Sequence, residues 1–328
     1  MTQGQLFTKQ LQVRRYPQTA LDGVLERLRA QDVPGKSHVE NYMRHKWRLN
    51  HKPRTLSSTF ASIIFFLTFY RRSGKRLEEI ERSDIEAFLE HEQDRGMNIS
   101  TVRLRLAILI AFFHYLMEQD VLPASLLKKT IRLKLPETLP RAINPKDVKS
   151  LLSVIDKIRD RALILLLLRT GIRIGEALSL TLNDIDLRDK KVYLHQGEKN
   201  SMGRVVYLSH DAHFALRRWL AERDTKKEAI FYGQGSSGMC YSTARSLFVG
   251  YLTKAHLDHK GYTVHCLRHT FASELLNAGM RLEVLQQLMG HQDIEVTRRY
   301  ARLTDRTREE EYFRAMALIE KGMIDGDY

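Results

Sequence analysis

A chain of 328 residues is long enough for two domains that each bury a core, and 43% hydrophobic with 28% charged residues excludes a disordered polypeptide. Lys and Arg number 53 against 39 Asp and Glu, a formal net charge of +14. A surplus of that size favours a polyanionic partner, because basic side chains release the counterions condensed on a phosphate backbone. Charge by itself fits an anionic membrane as well as nucleic acid. However, the longest apolar run, Ala162 to Leu168, is far too short to span a bilayer, and the N-terminus MTQGQLFTKQLQ lacks the apolar core of a signal peptide. The expectation is a cytoplasmic protein. Two cysteines, Cys240 and Cys266, exclude a disulfide framework, and without CxxC spacing or clustered histidines there is no sign of structural zinc.

In chain order, residues 1–35 read as an N-terminal arm with one helix, Ala20 to Ala30, stopped by Val33-Pro34-Gly35. Residues 36–127 read as four helices with no strand pattern between them, a small helical bundle. The first carries Val39, Tyr42, Met43 and Trp47, and the second runs from about Thr55 to Arg72. The third follows a capping box from Ser83 to Glu86, and the fourth runs from about Ser100 to Gln119. Basic residues crowd this segment, with 24 Lys and Arg against 15 Asp and Glu before residue 144 and 29 against 24 after it. Many basic faces are merely solvated. Here the local excess and interleaved aromatics point to a DNA-gripping face, with Lys46, Arg48, Lys52, Arg54, Arg71 and Arg72 as the candidates.

Residues 128–143, KKTIRLKLPETLPRAI, are basic, proline-punctuated and aperiodic, the composition of an extended linker. A second domain, residues 144–306, opens at Asn144-Pro145, an N-cap followed by proline at the first helical position. A buried helix from about Arg159 to Arg169 runs into Thr170-Gly171, and another starts near Ile174. Lys191 to His195 and Arg204 to Leu208 are β-rich runs on either side of Gly197 to Gly203, a hairpin with Lys199 near its turn. Helices resume at Asp211. Residues 307–328 form a tail whose segment Arg308 to Lys321 is amphipathic, with Tyr312, Met316 and Ile319 on one face. The fold class is therefore mainly α with a small β-sheet.

The chemistry concentrates between Thr263 and Tyr300. His265, Arg268 and His269 have the spacing of one helical face. Gly290 stands where a helix commonly needs a left-handed residue to stop, aiming His291 out of the turn. Tyr300 follows nine residues later. An arginine, imidazoles and a phenol together form an anion site with a nucleophile beside it. Taken singly, each is more often a solvated face, a turn or an amphipathic filler, and Cys266 reads as a small buried hydrophobe.

Read together, Thr170-Gly171-Ile172-Arg173-Ile174-Gly175-Glu176, Gly197-Glu198-Lys199-Asn200, His265-Cys266-Leu267-Arg268-His269-Thr270, Met289-Gly290-His291 and Tyr300 resemble the tyrosine recombinase, or phage integrase, family of site-specific recombinases. The resemblance spans the second domain; more weakly, the basic four-helix segment is similar to the family's SAM-like core-binding domain. It implies that Arg173 and Arg268 are the paired arginines and that Lys199 and His265 are the acid–base residues. It further implies that His291 is an additional phosphate-side group, Tyr300 the nucleophile, and Glu176 and His269 supporting residues. Met289 replaces the family's usual leucine, a volume-conserving exchange. Gly197-Glu198-Lys199 departs from the frequent Gly-Lys-Gly, which leaves Lys190 or Lys191 as alternatives for the lysine.

What the resemblance implies is strand cleavage and rejoining through a 3′-phosphotyrosyl link, in integration, excision, transposition or resolution of mobile or circular DNA. No cofactor is required by that chemistry: guanidiniums neutralise the pentavalent phosphorus, and lysine or histidine protonates the leaving 5′-oxygen. The implied partners are duplex DNA and three further copies of the chain, a tetramer on two DNA sites joined through the C-terminal helix. Accessory recombinases or DNA-bending proteins are further candidates, and no membrane partner is implied. Two other readings stay open on the sequence, a catalytically silent DNA-binding protein on the same scaffold and a DNA-relaxing (type IB topoisomerase-like) or hairpin-forming relative.

Overall fold

A computed structural model describes residues 18–129, 131–135, 141–195, 203–233 and 238–290. Lys199, His291, Tyr300, the first 17 residues and the C-terminal helix expected at 308–321 lie outside them. The chain divides into two compact units, with the boundary between residues 137 and 138.

The first unit contains helices α1 (Thr19–Arg29), α2 (Lys36–Arg48), α3 (Pro53–Tyr70), α4 (Arg82–Asp94) and α5 (Ile99–Glu118). Apolar positions recur at three- and four-residue spacing on each, so each presents one stripe to a shared core. Tyr42, Phe66, Phe88, Phe112 and Phe113 fill its centre. Phe66 meets Phe88 and Phe113 edge-on at 5.4 Å, the geometry that ring quadrupoles favour. The helix expected within the N-terminal arm packs into this same core through Leu21, Val24, Leu25 and Leu28. By length and composition α5 is apolar enough to cross a membrane. Its Leu106, Phe112, Phe113 and Leu116 are instead committed to the bundle core.

One local expectation is corrected. The capping box of α4 is not Ser83 with Glu86; the helix starts earlier, and Asp84 accepts a 2.8 Å hydrogen bond from the Glu81 backbone N–H. Glu86 pairs with Arg82 one turn back (2.8 Å), so its carboxylate is already occupied. At α5, Asn98 caps as an N-cap residue should, accepting from the Ser100 N–H at 2.9 Å.

The second unit is built on α7 (Ile158–Thr170), which follows α6 (Pro145–Ser153). Asn144 caps α6 by accepting from the Lys146 N–H at 3.0 Å, with Pro145 at the first position. The run Ala162–Leu168 is buried on every side, so α7 has no polar face and other helices dock all round it. Each buried leucine there contributes about 2 kcal/mol. Its entry is fixed by Tyr251 of α10 (Tyr241–Lys254), whose hydroxyl donates to Asp156 at 2.9 Å and Asp160 at 3.0 Å.

After the short α8 (Ile174–Leu178) come β1 (Ile185–Asp186), β2 (Lys191–Leu194) and β3 (Arg204–Tyr207), an antiparallel sheet in that order. The β2–β3 hairpin pairs Lys191 with Tyr207 and Leu194 with Arg204. The third strand, β1, is absent from the sequence reading because two residues cannot establish a period. Helices α9 (His210–Glu222), α11 (Val264–Asn277) and α12 (Leu282–Met289) complete the unit among the described residues. A small cluster of Phe271, Ala272, Leu276, Leu285 and Met289 joins α11 to α12, separate from the main core.

Candidate active site

The site begins with a glycine. Gly171 ends α7 at φ 62°, and a Cβ there would lie 2.2 Å from Cδ1 of Phe271. Only glycine therefore allows the α7–α8 turn to approach α11 this closely. The contact brings the Gly171 carbonyl onto Arg268 of α11, whose Nη1 donates to it. Arg268 is buried, at 7% exposure. On the preceding turn His265 is exposed, and the next residue, His269, is half-buried.

Arg173 is the N-cap of α8, and its backbone N–H donates to Glu176 Oε2 at 2.7 Å. Its guanidinium also donates to Glu176 Oε1 at 3.1 Å. The same carboxylate receives a second arginine: Arg204, the first residue of β3, donates from Nη1 to Oε1 (3.0 Å) and from Nη2 to Oε2 (2.8 Å). Burial opposes ionisation of Glu176, but hydrogen bonds and charge from Arg204 and Arg173 outweigh it, so the carboxyl stays below the ordinary range.

These arginines converge on one feature, the C-terminal end of α12, where Gly290 stops the helix at φ 62°. Its last carbonyls have no partner within the helix and carry the negative end of the helix dipole. Three consecutive ones each accept from a different arginine. Leu288 O accepts from Arg204 Nε at 2.9 Å, Met289 O from Arg268 Nη2 at 2.7 Å, and Gly290 O from Arg173 Nη2 at 3.3 Å. The cluster thus gathers three guanidiniums around this helix end, two of them on the Glu176 carboxylate, which leaves it positive and suited to an anion.

Among the sequence candidates, Arg173, Glu176 and Arg268 come together here, with His265 and His269 on the first turns of α11. His291 follows Gly290 directly in the chain, and the segment holding Lys199 runs between Leu194 and Arg204, the last described pair of the hairpin. Lys191 is three register pairs away from that end, about 10 Å along the strand. It pairs with Asp189 at 3.1 Å, while Lys190 is exposed beside it at φ 54°. Arg204 is the residue that sequence reasoning misses, because it reads as an ordinary strand opening. The available signal was a glutamate opening a helix in an otherwise apolar neighbourhood, which needs a cation.

In the first unit the basic candidates fall into two groups. Lys46, Arg48, Lys52 and Arg54 surround the α2–α3 junction, while Arg71 and Arg72 sit at the far end of α3, about 25 Å along the helix. Lys46 lies over the Tyr42 ring at 5.3 Å, and Arg71 pairs with Asp32 at 2.7 Å. His51 is held below its usual pKa by burial and then by the charge of Lys46, a sign that the junction is cationic.

Comparison with known proteins identifies the family and the fold. Residues 141–307 match the phage integrase family, and residues 35–122 match the N-terminal SAM-like domain of phage integrases. The chain is 30% identical to tyrosine recombinase XerC of Pelotomaculum thermopropionicum over 289 residues, covering 81% of this chain and 94% of that protein. It is 30% identical to tyrosine recombinase XerD of Listeria monocytogenes serotype 4b over 242 residues, covering 69% and 79%. In fold it resembles the XerH site-specific recombinase bound to a palindromic difH substrate, with a TM-score of 0.68 and 19% identity over 92% of this chain and 95% of that one. It also resembles the Tn1549 transposon integrase in complex with a circular-intermediate DNA, with a TM-score of 0.66 and 22% identity over 82% and 95%.

Proposed function

Because the chain belongs to the phage integrase family and is a site-specific DNA recombinase, an enzyme that cleaves and rejoins DNA strands, we propose that Tyr300 is its nucleophile and that the arginine cluster at the end of α12 grips the phosphate under attack. The observation that carries this reading is the bonding of Arg173 and Arg268 to successive carbonyls, Gly290 O and Met289 O. Two guanidiniums from distant segments are thereby brought side by side, next to the residue that precedes His291.

The Tyr300 phenol oxygen attacks phosphorus, forming a 3′-phosphotyrosyl bond as the bond to the 5′-oxygen breaks. A free phenol has a pKa of about 10, so its proton must pass to a neighbouring base. Arg173, Arg268 and His291 hold the non-bridging oxygens and neutralise the charge that builds on them. Lys199 and His265 supply the proton that the departing 5′-oxygen takes up. The 5′-hydroxyl of another strand then reverses the step. Bond energy is conserved throughout, so exchange proceeds without ATP.

Residues 36–127 grip duplex DNA through Lys46, Arg48, Lys52, Arg54, Arg71 and Arg72, and residues 144–306 cut it. The amphipathic segment 308–321 docks on a neighbouring copy, giving a tetramer on two sites. The test is product topology. A plasmid carrying two copies of a DNA segment from beside the gene is incubated with the full chain, and exchanged circles are expected. Relaxed circles or closed hairpins alone would contradict recombination as the outcome of the tyrosine chemistry.

A further inference from the structure

Arg204 does not belong to any of the motifs that point to the site, yet all three nitrogens of its guanidinium are engaged there. It makes a fork on Glu176 at 3.0 and 2.8 Å, and its remaining direction, Nε, reaches Leu288 O at 2.9 Å. Both partners of the ion pair are close to buried, at 11% side-chain exposure each. A fork of this kind fixes the plane of the carboxylate, which a single donor does not. Glu176 in turn holds Arg173 from two sides, by its backbone N–H and by Nη1. Arg204 therefore joins three segments, the start of β3, the first turn of α8 and the end of α12.

We propose that Arg204 is a positioning residue for DNA strand cleavage, one that orients Arg173 through Glu176 and at the same time pins the α12 end from which His291 departs. Its bonds run to Glu176 and to the Leu288 carbonyl, so it acts through them. It stands at the last described pair of the β2–β3 hairpin, so it also ties the hairpin that carries Lys199 to the same point. The inference rests on the recombinase reading, and goes beyond it in giving the site a fixed internal frame in place of freely placed cations.

A merely structural ion pair would lower stability when broken and slow the enzyme only in proportion. A positioning residue has two further signatures. The first concerns pH. Among the described residues the charged groups facing Glu176 are Arg204 from β3 and Arg173 from the cap of its own helix. With Arg204 gone, burial acts on Glu176 with less opposition, its carboxyl protonates at higher pH, and the acid limb of the cleavage profile moves upward. The second is non-additivity, since two residues acting as one unit lose little more together than either does alone.

The experiment uses the full chain and nicked, end-labelled duplexes tiled across the DNA beside the gene. The duplex that gives a covalent adduct with the wild type is then used for Arg204→Gln, Arg204→Lys, Glu176→Gln and the double variant Arg204→Gln/Glu176→Gln. Expected is adduct formation slowed by about 10- to 100-fold in Arg204→Gln, with duplex affinity within about threefold. Its acid limb is raised, and the double variant is no slower than about twice the worse single one. Arg204→Lys keeps the charge without the fork, so it restores the acid limb but not the full rate; it also stands in if Arg204→Gln does not fold. Wild-type rates in both variants would overturn the proposal. So would a slow Arg204→Gln whose acid limb is unmoved and whose loss merely tracks melting temperature. If the wild type forms no adduct on any duplex, the recombinase reading itself falls, and this inference with it.

Discussion

At the scale of single residues, the site depends on positions whose side chains leave no substitute. Gly171→Ala must place a Cβ 2.2 Å from a Phe271 ring atom at a positive φ. It is expected to cost about 2–4 kcal/mol in denaturant unfolding and to displace the carbonyl that Arg268 uses. Arg173→Lys and Arg268→Lys keep the charge but lose the fork. Each is expected to lower strand cleavage by about 10²- to 10³-fold while duplex affinity changes little, read from single-turnover rates and gel-shift titration. Glu176 gives a prediction with a sign. Its folded pKa lies below the ordinary carboxylate value, so the folded state binds fewer protons than the unfolded state in the window between the two. The stability it contributes is complete above the ordinary carboxylate range, near pH 4.3, and is lost as pH falls through the folded value. Wild type is expected to lose stability on acidification below about pH 5 more steeply than Glu176→Gln, as measured by urea midpoints at each pH.

At the scale of elements, α12 is the piece with the smallest apolar core beneath it. It is eight residues long and rests on the small cluster with Phe271 and Leu276, apart from the main core. Leu285→Ala removes the centre of that cluster. It is expected to cost about 2–5 kcal/mol and to speed amide exchange over residues 282–290 well before α7 is affected. Much of this element level is legible in the sequence. Asn144-Pro145 marks a helix start, and Gly171 and Gly290 mark helix ends, because each does something only that residue type does well. The uniform burial of α7 follows from an apolar run with no polar stripe. Where the reading fails, competing local options are nearly equal in energy. Two acidic residues near α4 could cap it, and the pairing of Glu86 with Arg82 one turn back on the same helix leaves the box to Asp84 and Glu81. A two-residue strand such as β1 has no period to detect. Arg204 is invisible for another reason: its partners are 28 and 84 residues away, and no local pattern encodes them.

At the scale of the whole molecule, two units hold separate cores, and a net positive charge of +14 is spread over both. Much of duplex binding is then counterion release, and it must weaken steeply with salt. Replacing Arg48, Lys52 and Arg54 at the α2–α3 junction with alanine is expected to reduce the slope of log affinity against log salt by about 2–3, the contribution of three phosphate contacts. Deleting residues 308–328 is expected to leave duplex binding intact and abolish recombination; full recombination by the shortened chain would remove the proposed docking role of that tail. The most direct test of the central claim is covalent trapping. Labelled, nicked duplexes from DNA flanking the gene are mixed with wild type and with Tyr300→Phe and run on a denaturing gel. Label bound to protein is expected with wild type alone, whereas duplex binding by the wild type without any adduct would contradict Tyr300 as the nucleophile.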